Sequence, residues 1–195
     1  MTDRPNTQSS SPRWAIAKLF RLVGWISFWT QLVLGVVAAG IFLVFRIQRS
    51  GSQASNPGTG FGIFFAALGL LTLGAGIFLA FRYTRIGKQL ISSNPQNRPS
   101  KMQTIQILRL GLIVNLVGML LTLFGAQAIS GSLLLKALSV PQGAVGFSPD
   151  QLSKLVQPID VLVVQANINT VTAHFAGVVG SLWLFNRIHK SEKSG

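Results

Sequence analysis

Few side chains in this sequence could carry chemistry, and most of them lie in its last third. The chain has four acidic residues, two histidines and no cysteine, which excludes thiol catalysis and thiolate metal sites. Asp160, Asn167, Thr170 and His174 share about a quarter of the circumference of a helix. Carboxylate, amide and imidazole groups suit Fe²⁺ or Mn²⁺, and an imidazole also suits a proton relay. We therefore predict a polar path or site here, with Asp160 and His174 as candidate metal ligands.

The same helix carries a second polar side, formed by Gln165, Asn169 and Thr172. A helix that is polar on two sides has no broad apolar surface to turn toward lipid, so we expect other helices or another subunit to enclose it. Amides and hydroxyls of this kind also join membrane helices by hydrogen bonds, without any ligand. Asp160 can equally cap a helix N-terminus just after Pro158. The sequence leaves these functional and structural interpretations open.

Small and polar residues recur at intervals of three or four elsewhere in the chain. One such face is formed by Gly111, Asn115, Gly118, Thr122 and Gly125, and another by Ser27, Gln31, Gly35 and Ala39. Small residues let helices approach closely, and Asn115 and Gln31 can hydrogen-bond across such a contact. Gln127 lies off the first face and needs a partner of its own. We expect these faces to meet the His174 helix around shared polar groups.

Four long apolar runs position these residues, at 24–45, 61–81, 110–135 and 159–185. Each reaches the roughly 20 apolar residues that cross a bilayer core of about 30 Å, and none carries Arg, Lys or Glu in its interior. Charged residues make up only 11% of the chain. We predict an all-α polytopic membrane protein with four transmembrane helices and short interfacial helices. Residues 14–188 would form the membrane domain, between a disordered tail at 1–13 and a second tail at 189–195.

The formal net charge of +13 does not indicate nucleic-acid binding, because the basic residues flank the apolar runs. Thirteen Lys and Arg residues fall in the two tails and the middle loop, against four in the other two loops. By the positive-inside rule, both termini and the middle loop should face the cytoplasm, or the stroma in a plastid. The expected partners are the lipid bilayer and further membrane subunits, as a homo-oligomer or a larger complex.

Three short segments carry helix signals outside the apolar runs. Residues 14–23 have one apolar and one basic face, which fits either an interfacial helix or fraying of the first span. Ser100 and Gln103 form a capping box that predicts a helix start after a turn at Asn94 and Pro95. Ser148, followed by proline and acid, predicts a short amphipathic helix on the outer side that continues toward Pro158.

Two segments of the C-terminal half, 111–138 and 158–188, resemble the chloroplast inner-envelope family known as permease in chloroplasts, which is also described as a small translocon subunit and has cyanobacterial members. The residues that carry this resemblance are Asn115, Gly118, Gly125, Gln127, Lys136, Ala137, Leu138, Asp160, Gln165, Ala166, Asn169, Thr170, His174, Phe175 and Gly177. The resemblance implies four helices in a plastid inner membrane or a cyanobacterial membrane. It also implies one of two roles, iron import or preprotein import.

The resulting hypothesis is an integral membrane transport protein that imports iron as Fe²⁺, with no tightly bound cofactor. The alternative is a non-catalytic subunit of a membrane protein complex, such as a translocon or an assembly factor. An enzyme is not expected, because no two acidic residues fall where a catalytic dyad could form. No nucleotide-binding motif is present either, so direct ATP coupling within this chain is not expected.

Overall fold

The computed structural model describes residues 12–49, 57–139 and 155–192, and it consists of four long helices. They are α1 (Pro12–Arg49), α2 (Pro57–Leu90), α3 (Lys101–Leu138) and α4 (Pro158–Glu192), with a 3₁₀ turn at Pro95–Asn97 between α2 and α3. All four are long and apolar enough to cross a membrane. The all-α fold class with four candidate spans is therefore confirmed.

Each helix is longer than the apolar run that it contains. With 34–38 residues each and 1.5 Å per residue, they measure roughly 50–57 Å against a bilayer core of about 30 Å. Their ends therefore project into the headgroup layers or beyond. α4 is the least hydropathic of the four, as its two polar sides predict.

The predicted interfacial helix at 14–23 is a continuous part of α1. Its apolar residues do not face a membrane surface, because Phe20 and Val23 are buried against the other helices. Ile16 and Leu19 pack on the same cluster. The apolar face of this segment therefore belongs to the core of the bundle, and its basic face lies outside.

Local capping chemistry fixes where α3 and α4 begin. The Ser100 side chain accepts from the Gln103 backbone N–H, and the Gln103 side chain accepts from the Ser100 backbone N–H, so the predicted capping box is confirmed. α4 begins at Pro158, a residue that suits the first helical position because it lacks an N–H. The predicted short helix beginning near Ser148 lies outside the described residues, and positions 155–157 are not helical.

α2 and α3 pack antiparallel along two facing rows of small residues. Gly62, Gly69 and Gly76 recur every seven residues on α2, and they lie against Gly125, Thr122 and Asn115 of α3 respectively. A Cβ atom on Gly62 would lie 3.1 Å from the Gly125 carbonyl oxygen. The two backbones therefore approach closely, as small residues permit in membrane helices.

On α1 the predicted face is correct for three of its four residues. Ser27, Gln31 and Gly35 are buried, whereas Ala39 is exposed and Ala38 is buried in its place. The reason is geometric, since a strict four-residue step advances 400° and drifts by 40° at each repeat. After three steps the position has turned out of the core.

Two apolar clusters close the ends of the bundle. One contains Phe20, Val23, Tyr83, Ile86, Leu108 and Leu184, and the other contains Phe45, Ile129 and Val163. The first lies at the end where α1 begins and the α2–α3 connection runs, which we name the basic end. The second lies at the opposite end, which we name the Asp160 end. Most buried polar side chains, among them Gln31, Asn115 and His174, lie between the two clusters, whereas Thr84 and Thr104 are buried at the basic end.

Candidate functional site: a hydrogen-bonded centre in the helix bundle

The imidazole of His174 on α4 lies in the middle of the bundle and is fully buried. Its Nδ1 atom lies 3.2 Å from Asn115 Oδ1 on α3. Its Nε2 atom lies 3.1 Å from the carbonyl oxygen of Gly69 on α2. One ring therefore connects three helices.

Gln31 brings α1 into the same arrangement. Its Nε2 atom donates to Asn115 Oδ1 at 3.2 Å, while Asn115 Nδ2 donates to the Gly111 carbonyl at 2.8 Å. That second bond fixes the orientation of the Asn115 amide, because a carbonyl oxygen requires a donor opposite it. We name Gln31, Gly69, Asn115 and His174 the His174 centre, and each helix contributes one of them.

The His174 centre offers more hydrogen-bond acceptors than donors. Both ring nitrogens of His174 face oxygen atoms, but a neutral imidazole carries only one N–H. One of the two contacts is therefore unsatisfied unless the ring is an imidazolium. The buried Gln31 Oε1 atom also has no hydrogen-bond partner. This excess of acceptors is the kind of environment that a proton or a cation would complete.

Glycines provide the space that the His174 centre occupies. A Cβ atom on Gly118 would overlap the His174 ring, and one on Gly177 would overlap the Gln31 amide nitrogen. A Cβ atom on Gly76 would come within 2.8 Å of Asn115 Oδ1. The polar groups are therefore packed as tightly as an apolar core, and each depends on the missing side chain of a neighbouring helix.

Asn167 and Thr170 share the buried face of α4, as predicted, but they bond to their own helix. Asn167 Nδ2 donates to the Val163 carbonyl at 3.0 Å, and Thr170 Oγ1 donates to the Ala166 carbonyl at 2.9 Å. Asn167 Oδ1 is buried without a partner. Neither residue bonds to the His174 centre.

Asp160 lies in the first turn of α4. Its contacts are those of a residue that stabilises the start of the helix. Its Oδ2 atom lies 2.9 Å from Lys136 Nζ and also accepts from the Gln157 backbone N–H at 3.0 Å. This is the helix-capping role that the sequence left open. Fourteen residues separate Asp160 from His174, which is about 21 Å along the helix axis.

This separation corrects the candidate metal pair, because Asp160 and His174 cannot bind one ion together. A first-row metal ion needs all its ligand atoms within about 2–2.5 Å. Among the described residues, no group of three or more His, Cys, Asp or Glu side chains could hold a metal ion. Any cation at the His174 centre would therefore meet amide and carbonyl oxygens and a single imidazole.

The second polar side of α4 faces away from the bundle. Gln165 and Thr172 are exposed and Asn169 is half-buried. Gln165 Nε2 donates to Asn169 Oδ1 at 3.1 Å, and Thr172 Oγ1 donates to the Ile168 carbonyl at 2.9 Å. Gln127 of α3 is also exposed and has no hydrogen bond among the described residues. The structure thus separates the predicted polar residues into an internal and an external set.

Two parts of the internal polar set were not expected from the sequence. The Tyr83 hydroxyl lies 3.0 Å from Ser181 Oγ and bonds α2 to α4 near the basic end. The Gly69 carbonyl binds His174, although a backbone acceptor leaves no sequence signal of its own. The seven-residue repeat of Gly62, Gly69 and Gly76 was the available indication that α2 takes part.

Comparisons with known proteins cover almost the whole chain. The family model described as "Protein of unknown function (DUF3611)" matches residues 10–189. "Protein TIC 21, chloroplastic" of Arabidopsis thaliana is 36% identical over 180 residues, which cover 88% of this chain and 57% of that protein. The chain therefore spans less than two thirds of the length of this relative. No solved structure matches the chain.

Proposed function

The chain belongs to the DUF3611 family, and we propose that it acts as a non-catalytic subunit of a membrane protein complex. Its homology to TIC 21 confirms the resemblance of its C-terminal half to the permease-in-chloroplasts family. That resemblance implies a small subunit of an inner-envelope translocon. We therefore propose a role in protein import or in the assembly of an import complex.

This proposal rests on one observation, namely that the buried polar side chains make contacts between helices. Gln31, Asn115 and His174 are all 0–2% exposed, and their contacts connect helices. Hydrogen bonds between membrane helices contribute about 0.6–2 kcal/mol each. The His174 centre therefore holds the four helices of the bundle together. Four helices that are joined in this way cannot enclose a polypeptide-wide pore alone, so an import role requires further subunits.

The external polar side of α4 also supports a subunit role. Amides that face hydrocarbon without partners are costly, and polar residues in membrane helices normally face protein or water. Gln165 and Asn169 satisfy only part of their bonding capacity with each other. A partner that covers them would remove this cost.

The proposed location is a cyanobacterial membrane or, in a plant, the plastid inner envelope. The proposed topology has both termini and the α2–α3 connection in the cytoplasm or stroma, because that side carries most of the Lys and Arg residues. This arrangement would leave the Asp160–Lys136 pair on the opposite side.

A tagged chain expressed at its natural level would test the subunit role. Mild detergent extraction followed by native electrophoresis should give a species much larger than a protein–detergent monomer, with stoichiometric partner proteins. A matched preparation of an unrelated tagged four-helix membrane protein controls for nonspecific partners. Recovery of the chain as a monomer alone would refute the proposal.

Import of iron is a second candidate, and the excess of acceptors at the His174 centre favours it. Oxygen ligands and one imidazole suit Fe²⁺ as a transported substrate. Liposomes that contain the full chain and an internal iron-quenched dye would report Fe²⁺ entry. This candidate predicts a several-fold slower entry for His174→Gln, whereas Asp160→Asn should have little effect. Equal entry with wild type and His174→Gln would reject it.

A further inference from the structure

The outer face of α4 carries a regular stripe of residues that differs from the rest of the lipid-facing surface. We name it the α4 seam, and its members are Gln165, Asn169, Thr172, Ala176, Val179, Trp183 and Asn186. All are exposed or half-buried, and they lie opposite His174 on the helix. The intervals alternate between four and three residues, which is the 3.5-residue period of helices that pack side by side in a left-handed coiled coil.

Two atoms of the α4 seam lack partners in the hydrocarbon region. The Gln165–Asn169 bond leaves one amide oxygen and one amide nitrogen unbonded by any described residue. Gln165 and Asn169 lie roughly 10 and 16 Å along the axis from Pro158. They are therefore inside the apolar span, where an unpaired polar group is costly. If both amides are rotated, the pair still offers one donor and one acceptor.

We propose that the α4 seam binds the same seam of a second copy of this chain, with the two α4 helices parallel about a two-fold axis along the membrane normal. A group with one donor and one acceptor is self-complementary, so two copies satisfy each other by two symmetric bonds. An asparagine in such a seam fixes register and favours a defined pairing. Ala176 permits close approach at the middle of the contact.

The exposed faces of the other three helices differ in composition from the α4 seam. They carry large apolar side chains, including Val36 on α1, Leu71 on α2 and Leu120 on α3, which are 62%, 72% and 48% exposed. These residues suit acyl chains and need no protein partner. Gln127 of α3 is also an exposed amide, but it has no second amide one turn away and so forms no pair like Gln165 and Asn169. The proposed dimer therefore buries α4 at its centre and leaves the large apolar faces in lipid.

This inference rests on the proposed role as a complex subunit and specifies its first contact. Failure of the two proposals can be distinguished. A chain that co-purifies with other proteins but never pairs with itself would refute the dimer and keep the subunit role. A dimer without any other protein would support the dimer and refute a larger complex.

The absence of cysteine from the chain makes disulfide cross-linking a direct test. Single variants Thr172→Cys, Ala176→Cys and Val179→Cys report on the α4 seam, with Val36→Cys and Leu71→Cys as lipid-facing controls. Disulfide formation needs Cα atoms within about 7 Å. Oxidation in native membranes should give a covalent homodimer from at least one seam variant and little from the controls. Equal dimer yields at all positions, or none at the seam, would overturn the proposal.

A second set of variants tests the amide pair itself. In the Ala176→Cys background, Gln165→Leu combined with Asn169→Leu should lower the homodimer fraction by about tenfold, because two membrane hydrogen bonds are lost. Val33→Leu combined with Val37→Leu on α1 is the matched control and should leave the fraction unchanged. An unchanged or increased fraction in the Gln165/Asn169 variant would overturn the role of the amides.

A second inference rests on an independent observation. It concerns a cavity that is lined by arginines at the basic end of the bundle. The cavity of about 790 Å³ lies between the end of α2, the 3₁₀ turn and the start of α3. Its polar lining includes three arginines, Arg82, Arg85 and Arg98, and several amide side chains, while Phe78 and Phe81 line its apolar part. No carboxylate among the described residues lines it.

Two of the arginines, Arg85 and Arg98, are oriented by neighbours that carry no negative charge. Arg98 donates to the Ser92 carbonyl at 3.1 and 2.8 Å, and the Arg85 guanidinium lies 5.0 Å from the centre of the Phe81 ring. Phe78 is 60% exposed and connects the cavity to the lipid-facing surface. We infer that this cavity binds an anionic phospholipid, with its phosphate at the arginines and an acyl chain along Phe78.

Native mass spectrometry of the full chain in detergent, with phosphatidylglycerol or phosphatidylcholine added, would test the lipid site. Phosphatidylglycerol should bind preferentially, and each Arg→Gln change at 82, 85 or 98 should lower its affinity by about fivefold. The single changes Lys88→Gln, Arg109→Gln and Arg187→Gln lie outside the cavity lining, each carry the same charge change and should leave binding normal. Equal binding of both lipids would overturn the inference, and so would displacement of phosphatidylglycerol by millimolar inorganic phosphate.

Discussion

Gly118 of α3 lies directly against the imidazole ring of His174 on α4, and a Cβ atom at position 118 would overlap that ring. Both ring nitrogens of His174 also lie within hydrogen-bond distance of an oxygen atom, Nδ1 near Asn115 Oδ1 and Nε2 near the Gly69 carbonyl, and a neutral ring donates to one of them. The ring therefore cannot move aside without breaking a hydrogen bond. The fit of the His174 ring therefore depends on the absence of a side chain at position 118.

We expect Gly118→Ala to destabilise the bundle by about 1–3 kcal/mol, the usual cost of overpacking a tight core. Gly74→Ala on α2 is the matched control, because a Cβ atom there meets nothing within 4 Å. Since alanine is the better helix former, that control should be neutral or slightly stabilising. The midpoint of thermal unfolding in detergent measures both. Equal shifts for the two variants would contradict the packing at the His174 centre.

Gln31 and His174 should be energetically coupled, because both contact the same oxygen of Asn115. Gln31→Ala and His174→Ala, singly and together, form a double-mutant cycle with an expected coupling of about 0.5–3 kcal/mol. Reversible unfolding in mixed micelles gives the free energies. Ser100→Ala replaces His174→Ala in the control cycle, and its coupling should be near zero. Additive losses in both cycles would show that the shared contact is absent.

Asp160 should matter more than its ionic partner Lys136. Lys136→Ala removes only a partly exposed ion pair, which contributes about 1 kcal/mol or less. Asp160→Ala removes that pair and also the acceptor for the Gln157 N–H, and loss of a helix cap costs a further 0.5–2 kcal/mol, approximately. High salt should weaken the effect of Lys136→Ala more than that of Asp160→Ala. A larger loss for Lys136→Ala would exclude the capping role.

The proposed topology can be tested by labelling single cysteines in intact cells or vesicles. Gln89→Cys, near the end of α2, should react only with reagents on the cytoplasmic or stromal side. Val145→Cys, between α3 and α4, should react only from the opposite side, because three loops alternate across four spans. Labelling of both positions from one side would refute the four-span arrangement.

The sequence alone determined the elements of this protein and many of its internal residues. Run length and composition predicted four spanning helices, because a bilayer imposes a minimum apolar length that few soluble sequences meet. Periodicity identified the buried face of α3 from Gly111 to Gly125, and all five of its residues are buried. The Ser100 capping box was equally local, since both of its bonds lie within four consecutive residues. The two polar sides of α4 followed from its angular pattern.

Only the tertiary structure decided which of those sides faces inward and what each polar group contacts. Asp160 and His174 looked like one site in angular projection, but projection discards the roughly 21 Å between them along the axis. The pairing of His174 with Gly69 depends on the vertical register of α2 against α4, which no local pattern encodes. Periodicity within one helix defines its faces, whereas the packing of four helices assigns each face its partner.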